Sequence, residues 1–269
     1  MTLSLENSRS TTVGQNLFTK IRGGPPLLWF SIVAMAALSV ICVGLGIADD
    51  RLLAGVGVWD KPAKFFMSLA IQFATVSWAL TYLPDLERQA RSMRIVLAYM
   101  VTAGWLEMAY MIFRASRGEA SHFNTSDVTA QILYSVMGVF AVSLTATAGY
   151  VGWRLWRHRR AGLWTEAAAL GLLFGAILGT IAGGYMSAQT GHGVGGSASD
   201  ASGLGFFSWS TSGGDLRVAH FVGLHAAQII PLGALTGRRS LVYGAVALTT
   251  ILTISTFVMA TNGIPLFRA

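Results

Sequence analysis

Charge is what this sequence has least of. Only 12% of its 269 residues are Asp, Glu, Lys or Arg, where an average soluble protein carries about 25%. With 53% apolar residues and 31 glycines spread through apolar runs, this scarcity excludes a disordered chain and weighs against an ordinary soluble domain. Cysteine is nearly absent: Cys42 stands alone, so no disulfide can form within one chain. No Cys-x-x-Cys-His occurs, which excludes covalent c-type haem. The glycine run Gly191-His-Gly-Val-Gly-Gly lacks a Walker lysine and a preceding strand, so it is no phosphate loop. Lysine appears only at Lys20, Lys61 and Lys64, none of them in the last apolar run, which argues against retinal.

What is present is a series of long apolar runs. Seven of them, at 27–47, 62–83, 94–115, 128–153, 163–187, 217–235 and 241–260, reach the roughly 20 residues a bilayer requires. They are continuously apolar, unlike the short alternating segments of a membrane barrel. The expectation is an all-α polytopic membrane bundle of seven helices over 27–260. A polar arm, 1–26, precedes it and a short tail, 261–269, follows. The arm ends at Pro25-Pro26 without an A-x-A-like site, so the first run is read as a retained span. The sixth run is the shortest and holds His220, His225, Gln228 and Pro231, which makes it the weakest span by hydropathy.

The formal charge is +7, and its placement matters more than its size. One side holds twelve basic residues: Arg9, Lys20, Arg22, Arg88, Arg91, Arg94, Arg154, Arg157, Arg159, Arg160, Arg238 and Arg239. Only Glu6, Asp85 and Glu87 offset them, leaving +9. The other side pairs seven basic with seven acidic residues. The positive-inside rule then puts the N-terminus in the cytoplasm and, after seven spans, the C-terminus outside, as in a cell inner membrane. Basic groups beside helix ends orient the chain and meet anionic lipid, so nucleic acid is not the expected partner. Six tryptophans (Trp29, Trp59, Trp153, Trp156, Trp164 and Trp209) fall near span boundaries, as an aromatic belt does. Gly171, Gly175, Gly179 and Gly183 line one helix face, a stripe suited to close helix packing or to a homodimer.

Polar residues gather toward the outer side. His122, His192, His220 and His225 all fall there, whereas His158 sits in a basic loop on the other side. Glu107, Tyr110 and Arg114 share one stripe of the third span. An intramembrane carboxylate needs a partner. Arg114 is two turns away, about 10 Å of rise, so another group must meet Glu107. A compact polar loop follows, ending at His122 and Asn124. Asn124-Thr-Ser matches a glycosylation sequon, a weak pattern. Lys64, Ser68 and Gln72 descend the second span at four-residue steps. The glycine-rich loop at about 188–216 carries Phe206, Phe207 and Trp209, which argue that it folds back onto the bundle. Beyond Asp215, an arc of about 140° on the sixth span carries Arg217, His220, His225 and Gln228. His220 and His225 stand five residues apart, not four, so each is expected to meet a different helix or centre.

Three strings, Trp59-Asp-Lys-Pro-Ala-Lys-Phe, Arg117-Gly-x-x-Ser-His-Phe-Asn and Ser212-Gly-Gly-Asp-Leu-Arg-x-x-His-Phe-x-Gly-Leu-His, resemble those of an uncharacterised family of bacterial multi-pass membrane proteins. The resemblance spans most of 55–235. It implies an integral membrane protein in which these segments matter, and it implies no chemistry.

The residues themselves fit a redox site best. Imidazole ligates b-type haem, iron, copper and zinc. His225 is the deep ligand expected for a haem, with His122, His192 or His220 as its partner, and Arg114, Arg217 or Lys64 would pair with propionates. A metal site from His122, His192, His220 and Glu107 is equally compatible. Either would serve a membrane-bound oxidoreductase acting on a quinol or another lipid-soluble substrate. Glu107, Arg114 and Lys64 are then the candidate catalytic groups, and Arg217, Asn124, Asp215 and Gln228 the candidate cofactor-binding groups. A proton-coupled transporter using the same polar groups is the alternative, although seven spans form no two equal inverted halves. A membrane sensor or structural subunit comes third.

Overall fold

The computed structural model describes residues 17–124, 126–197 and 199–268. Glu6 and Arg9 of the arm, and Thr125 of the sequon, lie outside the described residues. Among these residues, seven helices are long and apolar enough to cross a membrane. They are α1 (Pro26–Ala48), α2 (Asp60–Leu80), α3 (Arg91–Ser116), α4 (Val128–Arg157), α5 (Leu163–Ser187), α6 (Leu216–Leu232) and α7 (Arg239–Thr261). In hydrocarbon every backbone polar group must be paired within the protein, which a helix achieves along its own length. The chain is a multi-pass, all-α membrane bundle.

Several helix starts follow from side chains. Pro26 opens α1, where its missing N–H removes no helical bond. Asp127 accepts the Ala130 N–H at 2.9 Å to cap α4, and Asp215 accepts the Arg217 N–H at 3.0 Å to cap α6. α2 starts at Asp60, before the apolar run, because polar first-turn residues belong to the membrane boundary and Pro62 fits a first turn. The sixth span differs from expectation. It is more apolar over its best window than α2, and its end tightens beyond Pro231 into a 3-10 turn, Gly233–Thr236.

Two cores hold the bundle. Phe66, Phe73, Met93, Met100, Met108 and Met111 belong to the one that joins α1 to α4 and reaches Leu172 of α5 and Ala227 of α6. Ala167, Leu170, Ala226, Ile230 and Val242 form the other between α5, α6 and α7. The outward faces stay apolar: Ile47 is 82% exposed and Phe30 70%, as residues that meet lipid tails must be. The glycine stripe of α5 closes on α6. A Cβ at Gly171 would stand 3.0 Å from the Ala227 carbonyl oxygen, and one at Gly183 would stand 2.6 Å from His220 Cε1. Packing within the bundle, the first of the two uses expected for Gly171, Gly175, Gly179 and Gly183, takes this face against α6.

Alternation places the α1–α2, α3–α4 and α5–α6 loops on one face, termed here the cap. A two-stranded hairpin, β1 (Leu52–Leu53) with β2 (Val56–Gly57), forms part of it. A second antiparallel pair, β3 (Gly193–Val194) with β4 (Gly214–Asp215), closes the long loop at its base. Gly196 there has φ +72°, and a Cβ on it would lie 2.7 Å from the Gly213 nitrogen, so only glycine fits. The loop reaches the hairpin through the Asp200 N–H, which donates to the Ala54 carbonyl at 2.9 Å.

Candidate functional site

The long loop folds back as expected. Phe207 stacks on Trp209 at 4.5 Å, and both rings meet Phe221 of α6 edge-on, at 5.1 and 5.3 Å. Beneath this aromatic lid lies a clamp of charges. The Arg217 guanidinium donates to Asp215 at 2.7 Å, to Asp200 at 2.9 Å and to the Ser208 carbonyl at 2.6 Å. His192 stands between the same carboxylates, Nε2 3.6 Å from Asp200 and Nδ1 3.7 Å from Asp215. Across from α6, Lys64 Nζ donates to Ser208 Oγ at 3.1 Å and lies over the Phe206 ring. Lysine and arginine from two helices thus grip one loop.

The electrostatics follow from that geometry. Burial raises the Asp215 carboxyl, but the neighbouring His192 and the hydrogen-bonded Arg217 guanidinium outweigh it and hold the group below its ordinary value. Asp200 is lowered in the same contest, burial against His192 and Arg217. Burial works against a charged His192, yet the two carboxylates prevail and raise it.

The four histidines do not assemble. His122 lies between Phe65 and Tyr134, and its Nδ1 is 3.0 Å from Ser121 Oγ. Burial, with Lys61 adding to it, keeps this imidazole neutral, well below the usual histidine value. His220 turns to α5 and donates Nδ1–H to the Gly179 carbonyl at 2.9 Å, while His225 donates to the Phe221 carbonyl at 2.8 Å and stacks on that ring. A carbonyl only accepts, so Nδ1 carries the proton in both. Among the described residues no three His, Cys, Asp or Glu side chains converge as a metal site requires. His122, His192, His220 and Glu107 are dispersed because each imidazole has a separate local partner.

Glu107 and Arg114 also part company. Arg114 bonds Tyr110 Oη at 3.0 Å and pairs with Glu119. Glu107 is buried, with Oε1 lacking a hydrogen-bond partner among the described residues. Asn124 serves its own loop, donating to the Ala120 carbonyl at 3.0 Å. An open cleft of about 800 Å³ lies beside Arg114, Glu119, Asn124 and Asp127, away from the histidines of α6. On the opposite face His158 is not merely solvated: Nε2 stands 3.6 Å from Glu87, which also pairs with Arg154.

A polar seam runs down from the lid between α2 and α6. Their backbones stay apart. Lys64 bridges to the loop at the top, and Gln228, about one turn beyond His225 on α6, donates to Thr75 Oγ1 at 2.8 Å. Half-buried Lys64, Gln72 and Thr75 mark one wall, and half-buried Phe221, His225 and Gln228 the other. Asp200, Ser208 and Thr75 were not singled out from the sequence. Asp200 is the one acid between Glu166 and Asp215, a signal that could have placed it opposite Arg217.

No protein-family model, curated protein or solved structure matches the chain.

Proposed function

We propose that this protein binds a lipid-soluble molecule with a polar head, the class that includes quinols, in the seam between α2 and α6, and acts on it as a membrane oxidoreductase. The observation that carries this reading is His225. Its Nδ1–H is committed to Phe221, which leaves Nε2 as a lone-pair acceptor on a half-exposed strip one turn above Gln228. A quinol hydroxyl needs such an acceptor, a quinone carbonyl needs a donor such as the Gln228 amide, and an apolar tail would lie in lipid. Phe207, Trp209 and Phe221 supply apolar contact near the head. In the expected orientation the seam opens at the outer side of an inner membrane, with the N-terminus cytoplasmic.

The second reading, haem b or a transition metal ion (Fe, Cu or Zn), draws support from His220 and His225 together. An Nδ1–H held by a backbone carbonyl with Nε2 free is how proteins orient a histidine toward a metal.

Both readings are tested on purified protein in detergent. A short-chain ubiquinone should quench tryptophan fluorescence saturably. His225→Ala and Gln228→Ala should each weaken binding about fivefold, the loss of one hydrogen bond worth about 1 kcal/mol, and His158→Ala should leave it unchanged. Non-saturable quenching, or equal affinity in all three variants, removes the seam reading. A Soret band lost in His225→Ala supports haem, and its absence from cells supplied with haem precursor and iron ends that assignment.

A further inference from the structure

The spans contain two glutamates, and the fold treats them oppositely. Glu166, near the start of α5, meets both a donor and a cation: Tyr243 Oη donates to Oε1 at 2.9 Å, and Arg239 Nε forms an ion pair with Oε2 at 2.8 Å without hydrogen-bond alignment. Glu107 lies deep in α3, about 24 Å of rise beyond Arg91 and about 14 Å before Ser116. Only 4% of it is exposed, and Oε1 is fully buried without a partner among the described residues.

Among the described residues no cation pairs with it: the elements packed most closely on α3 are α1, α2, α4 and the turn Asp85–Arg88, and Arg51 of the α1–α2 loop reaches only the Ser116 carbonyl at the end of α3 while paired with Asp49. α1 has no charged residue, and its one titratable group is Cys42. α2 carries Asp60, Lys61 and Lys64 in its first turns only, and Lys64 is bonded to Ser208. On α4, Arg154 and Arg157 sit in the last turn, Tyr134 bonds the Ser187 carbonyl and Tyr150 bonds Arg154. In the turn, Asp85 pairs with Arg88 and Glu87 with Arg154. Within α3 itself, Arg91 and Arg94 lie at the far end, Tyr99 donates to Ser143, and Tyr110 and Arg114 bond each other. A carboxylate buried in hydrocarbon with neither cation nor donor is strongly disfavoured, and taking up a proton removes the charge.

We propose that Glu107 is a proton-binding site inside the membrane, held as the un-ionised acid in the resting protein. The proton resides on a carboxyl oxygen and neutralises the group, as Arg239 does for Glu166. This site does not rest on the seam between α2 and α6.

Infrared spectroscopy of the purified full chain at neutral pH tests it. The wild type should show the carbonyl stretch of an un-ionised carboxylic acid. Glu107→Gln should abolish that band, and Glu166→Gln should leave it intact. Glu107→Asp, which keeps an acid at the site, should shift the band and serves if the glutamine variant does not fold. A wild-type spectrum with ionised carboxylate bands alone overturns the proposal, as does an acid band that survives Glu107→Gln or stays unmoved in Glu107→Asp.

Discussion

Arg217→Ala should release the long loop from the bundle while leaving the helices folded. Asp215, 2% exposed at its side chain, loses its closest guanidinium contact, and Asp200, 17% exposed, loses two bonds. Removing one partner of a buried ion pair costs about 3–5 kcal/mol. Here the loss is smaller, because Asp215 keeps the backbone N–H groups of Ser210, at 2.9 Å, and residue 217, at 3.0 Å, with His192 beside it. About 2–3 kcal/mol remains, which raises the open population of the loop about 30- to 140-fold. Amide hydrogen exchange read by mass spectrometry reports this directly. The reporters are the β3–β4 pair and the Leu216 N–H, which donates to the His192 carbonyl at 2.9 Å. Their exchange should accelerate while amides of α5 stay protected. Arg217→Lys should fall between, since an ammonium cannot hold two carboxylates and a carbonyl at once. If reporter protection in Arg217→Ala stays within twofold of the parent, the aromatic contacts among Phe207, Trp209 and Phe221 hold the loop and the clamp does not.

The same clamp should respond to pH. His192 is raised in the folded loop, so its contribution is complete below its ordinary value of 6.5 and fades as pH rises through the raised value. Asp215 and Asp200 are lowered, so theirs is complete above 3.8 and is lost as pH falls further. Loop exchange should therefore be slowest in mildly acidic buffer, after correction for intrinsic exchange rates, and His192→Gln should remove the acceleration seen on raising the pH. The glycine stripe offers a paired test by thermal unfolding in detergent. Gly171→Ala drives a Cβ to 3.0 Å from the Ala227 carbonyl and should destabilise, by about 1–3 kcal/mol. Gly184→Ala meets nothing within 4 Å and should stabilise by up to about 1 kcal/mol through helix propensity. Matching shifts in the two variants would contradict the packing of α5 on α6.

The spans were legible because hydrocarbon imposes one strong rule, and a continuous apolar run satisfies it in a single way. Their ends were less so. α3 begins three residues before its apolar run, since Arg91 and Arg94 can extend a helix into the boundary layer without entering the hydrocarbon. Side-chain partners were harder still. Helical spacing correctly put Tyr110 and Arg114 on one stripe, yet it could not reveal Glu119, which approaches from the loop beyond the helix end. The five-residue spacing of His220 and His225 led to the expectation that each meets a different helix or centre; His220 turns to α5, whereas the imidazole Nδ1 of His225 bonds the backbone of its own helix.

Asp200 shows where periodicity ends. It sits in a serine- and glycine-rich stretch with no repeat, and only the crossing of that loop over the β1–β2 hairpin brings it to Arg217. Yet charge balance carried a hint that spacing could not. A guanidinium at a helix start beside a single aspartate leaves donors unspent, since Arg has five N–H groups and Asp215 can take only some of them. In a chain this poor in charge, a second acid on the same face is the natural acceptor. The same reasoning isolates Glu107. The acids with cation partners include Glu87 with Arg154, Glu166 with Arg239, and Asp200 and Asp215 with Arg217; a buried carboxyl without one needs another means of neutralisation, and a proton is the smallest available.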